Sequence, residues 1–162
     1  MKIDSFKEVY DENRKLDKAF LDLYGNGPDI VLKNKIELLV ELGELCNESR
    51  CFKYWSGKEV DRKLLLFEYA DVIIMTLYFF DQYNISLDEE FPAENDLDAI
   101  NEFIYLYGEM AKFGKDDTRD LIKNIFVNVL RLGNLLGLNE TEVLDSCLEK
   151  IKITFGRLNV YH

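Results

Sequence analysis

Residues 64–80, LLLFEYADVIIMTLYFF, are apolar almost all the way round a helix, and this run constrains the fold more than any other stretch of the chain. Its only acidic residues are Glu68 and Asp71. Three positions apart, they lie about 60° apart on one helical face. At about 100° per residue, Leu64, Val72, Met75 and Phe79 surround that same face. A helix apolar on every side belongs at the centre of a core. A carboxylate there is costly unless it is paired, protonated or bound to a cation. Glu68 and Asp71 therefore require an explanation elsewhere in the chain.

The remaining composition narrows the classes available. A chain of 162 residues, 48% hydrophobic, can bury a core of its own, and no linker-like or low-complexity stretch divides it. One domain spanning 1–162 is expected. The net charge of −11 excludes a Lys/Arg stripe that would release counterions from nucleic acid. The N-terminal residues are too polar for a signal peptide, and the run at 64–80 is too short and too acidic inside for a membrane span. Cys46, Cys51 and Cys147 form an odd set without a C-x-x-C spacing, and the single histidine is His162. A disulfide scaffold and a zinc site are both disfavoured, and a reducing cytoplasm fits.

The order of elements reads as all-α. Phe6, Val9, Tyr10, Leu16, Phe20 and Leu23 recur at helical spacing and predict a first helix over 5–24, ended by Gly25-Asn26-Gly27-Pro28. A second helix is expected over 30–51, followed by the loop CFKYWSGKEVD and then the buried third helix. A polar connection, ISLDEEFPAENDLDA, leads to a fourth helix near 97–113. Asp116, Asp117 and Thr118 signal the start of a fifth, which Gly137 closes, and Asn139 with Glu142 resembles the capping box of a sixth. Nothing shows sustained strand alternation. The expectation is a bundle of about six helices around a four-helix, metal-binding core.

The second helix supplies a match to the buried acids. Glu37, Glu41, Glu44 and Glu48 are spaced 4, 3 and 4 and fall within an arc of about 60°. Leu38, Leu39, Leu42, Leu45 and Cys46 occupy the other side, flanked by Ile36 and Val40. Alone, such a stripe is ordinarily the solvated face of an amphipathic helix. Alone, Glu68 and Asp71 could be satisfied by Arg or Lys. Together, E-x-x-E at 41 and 44 and E-x-x-D at 68 and 71 place four carboxylates across two antiparallel helices. Oxygen ligands without imidazole select magnesium or manganese over zinc or copper, and a di-iron site would need histidines that are absent. Magnesium shares its sphere with substrate phosphates, so metal-assisted hydrolysis of a phosphoanhydride is the chemistry such a site suits.

The run LLVELGELCNESRCFKYWS, followed by FEYADVI, closely resembles the dimeric dUTPase family, within the all-α nucleoside triphosphate pyrophosphohydrolases that include the MazG-like enzymes. The resemblance is strong over about 33–77 and weaker elsewhere. It implies cleavage of dUTP to dUMP and pyrophosphate by a homodimer, with Glu41, Glu44, Glu68 and Asp71 holding magnesium. One of the second-helix glutamates, Glu41 or Glu44, would also orient the attacking water, and Glu48 would support them from behind. It further implies substrate contacts from Lys53 and Trp55, although an indole at a helix end is as readily a core anchor. Asn13 stands where the family has a Gln that reads the uracil edge. The family's C-terminal K-N-x-x-N-x-x-R is matched only at Lys150 and Arg157, with Ile151 and Thr154 in place of the amides. That departure leaves open a broader pyrophosphohydrolase taking dCTP or modified nucleotides; a reading of a different class is an inactive helical binding protein on the same fold, against which the intact acidic quartet argues. The apolar surplus at 64–80 and in IFVNVLRLGNLLGL is the expected dimer interface.

Overall fold

A computed structural model describes residues 1–113 and 118–161, with side chains through residue 159. After a 3-10 turn at Ile3–Phe6 come six helices: α1 (Lys7–Tyr24), α2 (Ile30–Ser49), α3 (Arg62–Gln82), α4 (Ala99–Met110), α5 (Thr118–Leu135) and α6 (Glu140–Tyr161). The described residues contain no strand. The fold is all-α, as the apolar periodicity implies.

Local chemistry sets the helix ends. The second helix stops at Ser49, two residues before the expected end, because Arg50 turns into the left-handed region at φ 57°. Asp61 starts α3 two residues early by accepting hydrogen bonds from the Lys63 and Leu64 amides at 3.0 and 3.2 Å. Asp98 caps α4, which begins at Ala99, two residues later than expected, by accepting from the Asn101 amide at 2.9 Å. Each such cap contributes about 0.5–2 kcal/mol relative to alanine. Asp116 and Asp117 lie outside the described residues. Asn139 Oδ1 accepts from the Glu142 amide at 3.0 Å, while the Glu142 carboxylate pairs with Arg62 on α3 instead of reaching back.

Helix α3 lies at the centre, packed against α1, α2, α5 and α6. Tyr69, Ala70, Val72, Ile73, Leu77, Phe79 and Phe80 are fully buried along one half of its circumference, while Phe67, Ile74, Met75 and Tyr78 on the other half are partly buried beside the acids. Burial of each large side chain contributes about 1.5–3 kcal/mol, which is why the all-apolar run takes this place. Tyr69 donates to the Val129 carbonyl of α5 at 2.7 Å. A Cβ at Gly133 would fall inside the Tyr69 ring and hydroxyl, so the glycine permits this close approach.

The apolar surplus is not where the sequence suggests. Ile125, Phe126, Val129, Leu130 and Leu132 of α5 are buried within the chain, as are nine residues of α3, so the chain itself covers much of both segments. Exposed apolar residues instead lie in a row along α2, Leu32, Ile36 and Val40, and on α4, Ile100 and Ile104, the two helices packing on each other. In α1, Phe20 and Leu23 share the apolar periodicity yet are exposed. No single helix among the described residues is long and apolar enough to cross a membrane.

Candidate active site

Helices α2 and α3 pack along their length and bring their acidic faces together. Carboxylate oxygens of Glu41, Glu44 and Glu68 all lie within 4.8 Å of one another. Glu41 Oε2 and Glu68 Oε2 are buried without a hydrogen-bond partner. Such atoms are costly in the interior unless a cation or proton satisfies them. Burial, then the nearby charge of Asp71 and Glu44, pushes the Glu41 carboxyl up to about 8. Burial followed by the same neighbours pushes Glu68 up to about 7, opposed in part by Lys150. Three crowded carboxyls, grouped with no imidazole or thiol among the described residues, form an all-oxygen donor set that fits a hard divalent cation.

Asp71 stands beside this trio with a partner of its own. Lys150 Nζ of α6 donates to Asp71 Oδ2 at 2.6 Å, and the two side chains are only 21% and 24% exposed. Burial raises the Asp71 pKa, and the lysine opposes that rise. One of the four carboxylates placed together by the sequence thus has a basic partner, a cation from α6 that lies 79 residues away in sequence. Lys150 also lies 5.1 Å from the centre of the Phe67 ring.

A cavity of about 230 Å³ opens next to these acids. Glu37, Glu41 and Asp71 line one part of it, and Asn13, Asp17, Asn34, Tyr78 and Thr154 supply further polar groups, with Leu16, Phe20, Ile74 and Met75 among its apolar walls. Asn13 is fully buried on α1. Its Nδ2 donates to Asp17 Oδ2 and to the Ile74 carbonyl, both at 3.3 Å, while its Oδ1 has no partner. Burial first, and then the charge of Asp81, raises the Asp17 carboxyl to about 7 against the opposing pull of Arg14. A part-open space with apolar walls and a few polar groups, abutting an acidic cluster, is suited to a small organic anion whose charged end faces a cation there.

The family model described as dUTPase matches residues 5–161. The chain belongs to the dimeric, all-α dUTPase family. It is therefore a nucleotide pyrophosphohydrolase of the dUTP-hydrolysing kind. A search of curated proteins finds no match.

Within this family frame the remaining site residues separate by position. Thr154 lines the cavity and its hydroxyl donates to the Lys150 carbonyl at 2.9 Å, whereas Ile151 is buried in the core at 3% exposure. An amide at 151 would thus face the interior. Arg157 is exposed, and its charge favours the ionised form of Asp71. Glu48 is half-buried one turn beyond Glu44. Trp55 is 66% exposed, so it is no core anchor; it stacks edge-on with Phe52 and Tyr54 on the loop after α2. Lys53 sits 5.7 Å from the Phe52 ring centre on the same loop, and neither Lys53 nor Trp55 lines the cavity. Two cavity residues escaped the sequence reading. Glu37, given no role in the acidic stripe, lines the same cavity as Asp71, and burial followed by the charge of Asp71 raises its pKa. Asp17 is one helical turn from Asn13, and that i, i+4 spacing was its available signal.

Proposed function

We propose that this protein hydrolyses dUTP to dUMP and pyrophosphate with magnesium, or manganese in its place. The observation that carries this reading is the convergence of Glu41, Glu44 and Glu68, two of them with orphaned buried oxygens, beside a cavity in a dUTPase-family chain. These three would hold the metal, with Asp71 completing the set next to Lys150. Bound magnesium supplies charge neutralisation for the phosphates and a water of lowered pKa. Glu41 or Glu44 would also orient the attacking water by accepting its hydrogen bond, and Glu48 would steady the helical face behind them. Lys150 and Arg157 bring positive charge from α6 to the phosphate side of the site. Asn13 meets the base in the cavity, and Lys53 and Trp55 reach the nucleotide from the loop after α2 once it is bound.

The assembly we propose is a symmetric dimer through the α2–α4 row of Leu32, Ile36, Val40, Ile100 and Ile104, an exposed apolar patch of the kind that marks interfaces. The test of function is pyrophosphate release from dUTP with magnesium and after chelation. Metal-dependent turnover that collapses in Glu44→Gln supports the assignment. Turnover surviving chelation would overturn it.

A further inference from the structure

Asn13 and Asp17 present an unusual surface to the cavity. The amide's donor is already committed, at 3.3 Å each, to Asp17 Oδ2 and the Ile74 carbonyl. What remains is Asn13 Oδ1, buried and without a partner, and the Asp17 carboxylate. Arg14, whose charge acts on that carboxylate, spends its Nε–H elsewhere, on Asp81 Oδ1 at 2.9 Å. Two adjacent acceptors on the wall of a half-apolar cavity call for a ligand edge that carries donors. At about 230 Å³ the space is smaller than the roughly 300–1,000 Å³ of sites that enclose whole drug-sized ligands, which suits the base and sugar of a nucleotide whose phosphates extend toward Glu41.

Pyrimidines differ at this edge. Cytosine carries an N4 amino group with two N–H donors, whereas uracil carries an O4 acceptor beside a single N3–H donor. Building on the nucleotide-hydrolase reading above, we propose that Asp17 is the residue that sets pyrimidine choice: its carboxylate, with Asn13 Oδ1, takes the 4-amino edge of cytosine, so that dCTP is a substrate beside dUTP. Uracil is accommodated when Asp17 carries a proton and donates it to O4. The groups facing Asp17 are Arg14 and Tyr10 on its own helix, Asp81 and Tyr78 on α3, and Glu37 from α2 across the same cavity. Asp81 and burial favour the protonated form and Arg14 opposes it. Both forms are thus accessible near neutrality.

The experiment is kcat/KM for dUTP and dCTP in wild type and Asp17→Asn with magnesium, from below to above pH 7. Both substrates share the metal site, so its own titration cancels in their ratio. Wild type is expected to use dCTP within about tenfold of dUTP, with the dUTP:dCTP ratio falling as pH rises through about 7. Asp17→Asn, which cannot ionise, is expected to raise that ratio about tenfold or more by losing dCTP, and to flatten its pH dependence. An unchanged ratio in the variant, or wild-type exclusion of dCTP beyond about a thousandfold, overturns the proposal. Calorimetry with α,β-imido-dUTP and α,β-imido-dCTP asks the same question without turnover. If neither triphosphate is cleaved, the hydrolase reading fails by itself, while the variant's analogue preference still decides the role of Asp17. A melting curve on Asp17→Asn confirms that the comparison is made on folded protein.

Discussion

Replacing Glu41 by Gln should make the metal-free protein more stable at pH 8, the reverse of what removing a structural hydrogen bond would do. The Glu41 carboxyl holds its proton up to about 8 in the folded chain, against an ordinary value of 4.5. As pH climbs between those values the unfolded chain ionises first, so the folded state loses stability across that window. Taken at face value the shift corresponds to about 4–5 kcal/mol at about 1.4 kcal/mol per unit. Glu41 is only about half buried and shares its titration with Glu68, so solvent screening and coupling reduce this to about 1–2 kcal/mol. Glutamine keeps the shape and carries no charge, so that amount is recovered at pH 8 and little is recovered at pH 5. In a chain of this size 1 kcal/mol moves the melting temperature by about 2–4 °C. Thermal melts of both proteins in chelator at pH 5 and pH 8 give the comparison. Magnesium at 100 times its dissociation constant should then add about 2.7 kcal/mol to wild type and much less to Glu41→Gln. A variant less stable than wild type in chelator at pH 8 would refute the reasoning, because it would make Glu41 a satisfied structural group.

Other substitutions test other parts of the site. Lys150→Met strips Asp71 of its partner at 2.6 Å and should cost about 1–3 kcal/mol by urea denaturation, less than a fully buried pair would, since both side chains retain some exposure. Ile36→Glu on the exposed face of α2 should turn a dimer into a monomer by light scattering at micromolar concentration; a dimer that persists would place the interface elsewhere. Trp55 is the only tryptophan and is 66% exposed, so its emission should be water-like in the free protein and shift blue when α,β-imido-dUTP and magnesium are added. Its alanine variant should change stability by no more than about 0.5 kcal/mol.

How far the sequence could be read depends on whether the physics was local. The central place of α3 was legible because a helix apolar all round has one stable position. The meeting of Glu41, Glu44 and Glu68 was legible because helical spacing fixes each face and neighbouring helices pack side by side. The Lys150–Asp71 pair was not, since it joins residues 79 apart and depends on how α6 crosses α3. The same crossing turns Ile151 into the core and Thr154 toward the cavity, a choice that apolar periodicity in a mixed helix leaves open. Apolar content likewise misplaced the surplus surface. Helix α5 is richly apolar because it packs against both α3 and α4, while the residues left in solvent lie on the more modest α2 row. Phe20 and Leu23 continue the α1 stripe past the point where it meets the core, and Phe20 instead forms a wall of the cavity.

The most direct measurement is a calorimetric titration of Mn²⁺, as a magnesium surrogate, into wild type and Glu68→Gln, each with α,β-imido-dUTP bound. Glu68 Oε2 is buried without a partner, and a Glu68 carboxylate oxygen lies within 4.8 Å of one from Glu41 and one from Glu44, so wild type should bind the ion and Glu68→Gln should bind it at least tenfold more weakly. Equal affinity in the two proteins, or no binding in wild type, would contradict a metal site built on these carboxylates.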